Sequence, residues 1–197
     1  MKNNNKILEE GYRNIGISFG ISLFLLLFIS DCLGYIGLLI SLFIVFVYRN
    51  SKKHIFINSQ NILAPIDATV TAIDTVNGKT KVYCKVNLCN NHIFRAPQDS
   101  EMKIKKYKRG LNLNPNSHKA SMYNEQITLK FDDMKVKLIS GLCNNRIKKM
   151  NDSTVVQGDK LAVFLDGLVV ITFAAENKYL VSIGDKLSSG QTVLFKK

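Results

Sequence analysis

Side chains able to do chemistry are sparse in this 197-residue sequence, and most of them have an ordinary structural use. Of its three histidines, His54 and His118 show no spacing that would join them to other ligands. His92 taken alone reads as a satisfied or exposed imidazole. Asp67 ends the stretch Ala64-Pro65-Ile66-Asp67, where an aspartate most simply closes an Asx turn by bonding its own backbone. The four cysteines, Cys32, Cys84, Cys89 and Cys143, match no metal spacing and form no Cys-x-x-Cys, which reads as reduced thiols in a cytosolic setting. The last candidate is a stretch of backbone. Leu161 to Phe173 sets two apolar, β-branched runs around Asp166-Gly167, a pair that supplies the positive φ of a tight turn. That pattern predicts a β-hairpin turning at Asp166-Gly167.

The elements that must position these residues fall into two unlike parts. Residues 15–48 are almost wholly apolar, broken only by Asp31-Cys32, while the rest is a Lys- and Asn-rich globular sequence. As one helix the apolar part would overshoot a bilayer core of about 30 Å, so it is expected as two helices, 15–30 and 33–48. This hairpin is preferred to a buried soluble pair. Arg13 before it and Arg49, Lys52 and Lys53 after it place both ends on the cytoplasmic side by the positive-inside rule. The expected organisation is a membrane-associated segment over residues 1–50, a polar linker over 51–60 and a β-rich domain over 61–197. In that domain Asn77-Gly78 and Asp132-Asp133 read as turns joining strand pairs, and 110–116 as a loop.

The net charge is +12, of which residues 1–54 carry about +3 and the remainder about +9. A basic body behind an apolar anchor suits an anionic membrane, where each Lys or Arg contributes roughly 1 kcal/mol. Nucleic acid is set aside, because no helix-turn-helix, zinc-finger or aromatic RNA-binding signature is present. The basic run 103–109 is expected on a solvated or membrane-facing surface. Gly158-Asp-Lys-Leu161 recurs as Gly184-Asp-Lys-Leu187, a repeat that suggests a lipoyl-type carrier. However, Glu101-Met102-Lys103 lies before both copies rather than on a hairpin between them.

Several stretches together carry a resemblance. Leu33-Gly-Tyr-Ile-Gly37 through Val47-Tyr-Arg49 and Ala64-Pro-Ile-Asp67 are two of them. Asn87-Leu-Cys-Asn90-Asn-His92-Ile-Phe-Arg95-Ala-Pro97 is the most specific. Lys119-Ala-Ser121, Asn124-Glu125, Gly141-Leu142 and Arg146-Ile147 continue in register. The chain resembles the short bacterial form of phosphatidylserine decarboxylase over nearly its whole length. The resemblance implies a mainly β fold, a compact decarboxylase-like domain behind the apolar α-helical hairpin. It also implies a proenzyme that cuts itself at a Gly-Ser bond, the serine becoming a pyruvoyl group that accepts the electrons released as CO₂ leaves. On the same resemblance His92 is the base that activates the serine, Asp67 its orienting partner, and Arg95 a ligand for the lipid phosphate.

At one place the chemistry is missing. The family's Gly-Ser aligns with Gly167-Leu168, and a leucine side chain has no heteroatom with which to attack a carbonyl. No other register rescues it, since none of the twelve glycines precedes Ser, Thr or Cys. Val169 replaces the following arginine, and Ala68 the glycine of the Pro-x-Asp-Gly motif. The expectation is therefore an unprocessed, inactive homologue with no pyruvoyl cofactor and no metal. It would sit at the inner membrane with the β-rich domain on the cytoplasmic side, facing anionic phospholipid such as phosphatidylserine. An oligomer is compatible with the sequence. Two alternatives stay open: decarboxylation by a route the residues do not reveal, or a basic membrane-surface binding protein.

Overall fold

The computed structural model describes residues 7–50, 53–144, 147 and 150–196. Lys52 and Arg146, named above for charge or register, lie outside them. The chain divides into two compact units, Met1–Lys52 and Lys53–Lys197.

The first unit is the expected helical pair. A 3-10 turn, Glu9–Gly11, leads into α1 (Tyr12–Phe28), and α2 (Asp31–Val47) returns beside it. Ser30, in extended conformation, precedes α2, and Asp31 occupies that helix's first turn, where a negative charge favours the helix dipole. The seam between the helices is built of small and polar residues. Ser41 Oγ lies 2.6 Å from Ser18 Oγ and 3.0 Å from Ser22 Oγ. A Cβ on Gly34 would fall 2.5 Å from Leu26 Cβ, so the helices approach as closely as glycine allows. The large apolar side chains point outward instead, with Leu27 at 64% and Leu39 at 67% exposure. The stretch Glu9–Phe28 is long and apolar enough to cross a membrane by length and composition, and Asp31–Val47 is a shorter apolar helix.

The second unit is β-rich. Its strands are β1 (Asn61–Leu63), β2 (Ala68–Val76), β3 (Lys79–Val86), β4 (Ile93–Arg95), β5 (Ser100–Lys108) and β6 (Gln126–Lys130). They continue as β7 (Met134–Ser140), β8 (Ser153–Val155), β9 (Lys160–Val163), β10 (Gly167–Ala174), β11 (Lys186–Leu187) and β12 (Val193–Lys196). An eight-stranded sheet runs β11-β2-β3-β10-β7-β6-β5-β8, and the pairs β1–β12 and β4–β9 stand apart from it. These strands pair antiparallel throughout. Alternation decides which face is buried: Val82, Cys84 and Val86 of β3 and Val169, Ile171 and Phe173 of β10 point inward. Phe94, Phe164 and Phe195 close the core from the smaller pairs.

Two turns form as expected. Asn77 and Gly78 both adopt positive φ, 52° and 68°, the mirror-image turn that matches strand twist. Asp132-Asp133 joins β6 to β7. The repeated Gly-Asp-Lys-Leu stretches are also a structural repeat. Gly158 and Gly184 have φ of 89° and 95°, and Asp159 and Asp185 each accept the N–H of the residue three earlier. Glu101-Met102-Lys103 lies within β5, a strand rather than the tip of a hairpin.

The hairpin expected at Asp166-Gly167 does not form. β9 pairs with β4, whereas β10 enters the large sheet between β3 and β7. The two apolar runs serve different sheets, so residues 164–166 make a crossover. Alternation along each run could not reveal this, because both partners of β10 come from distant sequence.

Candidate functional site

Asp67 stands in the bend between β1 and β2. Its carboxylate is fully engaged: Lys53 Nζ lies 2.7 Å and 2.6 Å from its two oxygens, and the Ser189 N–H donates to Oδ1 at 2.7 Å. Lys53 also donates to Ser188 Oγ at 2.8 Å. Behind this pair Ser189 is fully buried, and its hydroxyl donates to the Pro65 carbonyl at 3.1 Å. The segment 53–60 thus packs on the β-rich unit, with Phe56 N–H reaching the Gly190 carbonyl and Asn58 N–H reaching Gln157 Oε1.

Arg95, at the end of β4, is 4% exposed. Its N–H donates to the Pro65 carbonyl at 2.7 Å, and Nη1 donates to the Gly158 carbonyl at 3.0 Å. Burial pushes the guanidinium down from its ordinary value, and the nearby Asp67 charge opposes the change. In this conformation Arg95 holds the Gly158 turn from inside. His92 is fully buried just before β4, and its Nε2 lies 3.0 Å from the Leu88 carbonyl oxygen. A carbonyl only accepts, so Nε2 carries the proton in that bond. Asp67 thus accepts from Lys53 and Ser189, and His92 Nε2 donates to Leu88. The His92 carbonyl accepts the Phe164 N–H at 2.8 Å, which docks this histidine beside the crossover that leads to Gly167.

Gly167 opens β10 with φ of 137°, and a Cβ there would lie 2.2 Å from the Ile139 carbonyl oxygen. Only glycine fits such a position. The two residues before it are clamped by the 141–144 loop. Asn144 Oδ1 accepts the Leu165 N–H at 2.8 Å, and its Nδ2 donates to the Asp166 carbonyl. The Gly141 N–H donates to the same carbonyl at 3.0 Å, and the Cys143 N–H donates to Asp166 Oδ1 at 2.9 Å. Burial pushes the Asp166 carboxyl up, while the N–H groups of Cys143, Leu142 and Asn144 pull it back.

A second layer supports the clamp. Asn124 Nδ2 donates to the Leu113 and Ser140 carbonyls, at 2.8 Å and 2.6 Å. Glu125 accepts the Tyr107 hydroxyl at 2.5 Å and the Ile147 N–H at 3.0 Å. Leu168 follows on the opposite face of β10 from the core, half-buried between Lys85 of β3 and Ile139 of β7. It presents only carbon there.

Asp67, His92, Arg95 and the Gly167-Leu168 bond are therefore linked through one framework of backbone and serine hydrogen bonds. Lys53, Asn144 and Ser189 are the residues that sequence reasoning missed. Each acts on a partner at least 14 positions away, and none carries a local signal. Among the described residues no group of three or more His, Cys, Asp or Glu gathers as a metal site.

Residues 40–195 match the family model described as phosphatidylserine decarboxylase. The phosphatidylserine decarboxylase proenzyme of Pelagibacter ubique is 30% identical, with 98% of this chain and 97% of that one covered. The proenzymes of that name from Rickettsia typhi and Syntrophus aciditrophicus are 27% and 28% identical, covering 95% and 98% of this chain and 89% and 99% of theirs. No solved structure is a significant match.

Proposed function

The chain belongs to the phosphatidylserine decarboxylase family of phospholipid biosynthesis, and from that premise we propose that it is a membrane-held member that stays uncut and inactive. The family is pyruvoyl-dependent, with the group formed from an internal serine. One observation carries the proposal: the residue after Gly167 is Leu168. A serine hydroxyl is the nucleophile of self-cleavage, and elimination across its Cβ–O bond leaves the dehydroalanine that water converts to the pyruvoyl group. The hydrocarbon side chain of leucine supplies neither, so the residues at this bond do not fit the cofactor.

Further features support the reading. Asp67 is engaged by Lys53 and Ser189, so its carboxylate serves as a structural tie, and His92 Nε2 donates to the Leu88 carbonyl. Gly167 permits the special backbone and the clamp around Asp166 fixes it, which suits a protein whose shape serves it without turnover. Membrane attachment is favoured by the inside-out helical pair, whose polar seam faces inward and whose leucines and phenylalanines face outward, as hydrocarbon solvent prefers. The basic flanks favour a cytoplasmic side for the β-rich domain, and its net positive charge suits anionic phospholipid.

The intact mass of the full chain tests this reading. A single species of 22.2 kDa is expected. Two chains divided after Gly167, the smaller blocked at its N-terminus, would overturn it.

A further inference from the structure

The outward face of the eight-stranded sheet carries an ordered array of lysines. Across β3, β10, β7, β6 and β5, one rung reads Lys81, Thr172, Lys135, Lys130, Lys103. The next reads Tyr83, Val170, Lys137, Thr128, Lys106, and the third Lys85, Leu168, Ile139, Gln126, Lys108. Acidic relief gathers at the first rung: Asp74 of β2 faces Lys81, Glu101 pairs with Lys103 at 3.0 Å, and the charges of Asp132 and Asp152 also act on Lys103. Lys130 stands directly opposite both Lys135 and Lys103, an arrangement that destabilises a sheet unless something anionic covers it. Lys137 responds to the same crowding. Burial lowers its pKa, and the charges of Lys106 and Lys108 lower it further.

At the third rung this face meets an apolar lip. Leu111, Met122, Tyr123 and Leu142 are 57%, 62%, 52% and 59% exposed. The Leu111 N–H donates to the Tyr123 carbonyl, the Lys108 ammonium to the Met122 carbonyl, and Lys85 Nζ to Asn116 Oδ1. Lysines of the sheet therefore tie directly into the loop that bears the exposed side chains. Asn112 Nδ2 also bonds the Asn144 carbonyl at 2.7 Å, joining that loop to the segment of Leu142.

We propose that this lysine-rung face, with the lip of Leu111, Met122, Tyr123 and Leu142, docks on an anionic phospholipid leaflet. Ammonium groups meet headgroup phosphates and carboxylates, and the lip enters the boundary between headgroups and acyl chains. The two parts match the two terms of interfacial binding, charge attraction and buried apolar area. Nucleic acid would satisfy the lysines but gives no place for the exposed apolar side chains of the lip. Leu168 lies on the same rung as Lys85 and Lys108, so docking brings lipid headgroups to the position where the family's nucleophile belongs. The inference rests on the reading of the chain as a membrane-held homologue and adds which surface meets the lipid.

The sequence contains no tryptophan, so Met122→Trp introduces a single reporter in the full chain. The variant is placed in nanodiscs of phosphatidylcholine alone or with phosphatidylglycerol, each with and without brominated acyl chains. In the anionic discs Trp emission should shift to the blue and lose roughly half its intensity to bromine, as expected for a side chain at the acyl boundary. The effect should fade near 1 M salt, where screening shortens to about 3 Å. It should also vanish when Lys106→Glu, Lys130→Glu and Lys135→Glu are added, while circular dichroism shows the fold retained. A solvent-exposed, unquenched Trp in anionic discs overturns the proposal. Equal quenching in neutral discs also overturns it, as does release of the lipid-quenched state by submicromolar single-stranded oligonucleotide. Mass spectrometry of the same sample reads the uncut state separately, so the two readings fail independently.

Discussion

The crossover before Gly167 and the bend around Asp67 hold their shapes by different means. Around Gly167 the constraint is backbone. A positive φ, a carbonyl 2.2 Å from where a Cβ would sit, and N–H donors from the 141–144 loop leave the chain one path. Around Asp67 the constraint is charge. A carboxylate is held between Lys53 and a buried serine amide, with side-chain exposures of 17% and 14% for the two ion-pair partners. The first region is fixed by close backbone contact ahead of a hydrocarbon side chain, and the second by an ion pair that reaches across 14 positions. Close backbone contact and a largely buried ion pair are thus two separate ways for this fold to hold a bend.

The contrast can be broken most forcefully at Gly167. Gly167→Ala adds a Cβ against the Ile139 carbonyl at a disfavoured φ, and a loss of about 3–5 kcal/mol in denaturant unfolding is expected. A loss under about 1 kcal/mol would mean that the crossover relaxes and that backbone does not govern it. Lys53→Met should cost less, about 1–3 kcal/mol, since it strands a mostly buried carboxylate with the Ser189 amide. Surface-like behaviour of the pair, with no measurable change, would place the Asp67 bend under backbone control as well.

Leu168→Ser is the smallest in stability and sharpens the comparison most. The half-buried leucine should cost about 1 kcal/mol to remove. The chain should nevertheless stay in one piece on a denaturing gel for days, because the Asp67 carboxylate is held by Lys53 and Ser189 and a serine without an aligned base is a weak nucleophile. Cleavage within hours would show that the dyad reassembles as soon as a hydroxyl is present.

Much of the scaffold was legible from local pattern. The helical pair, the Asn77-Gly78 turn and the β6–β7 hairpin follow from residues adjacent in sequence, and the structure agrees at each. Asp166-Gly167 misled for the same reason. Its turn chemistry is real, since Gly167 does take a positive φ, but the strands on either side choose different sheets. The repeated Gly-Asp-Lys-Leu stretches were visible as letters, whereas their shared capping geometry appears only in three dimensions.

By itself the sequence determined the family, through motifs spread along the chain, and the absence of a nucleophile at position 168. That absence needs no coordinates, because no conformation gives a hydrocarbon side chain an oxygen. Tertiary structure alone decided what the surviving groups do. It brought Lys53 and Ser189 onto Asp67, Leu88 onto His92 and Asn144 onto the crossover, and it gathered lysines from four separate strands into one face. Those partners are set by strand register and loop closure over long sequence separations, and no short window of residues contains them.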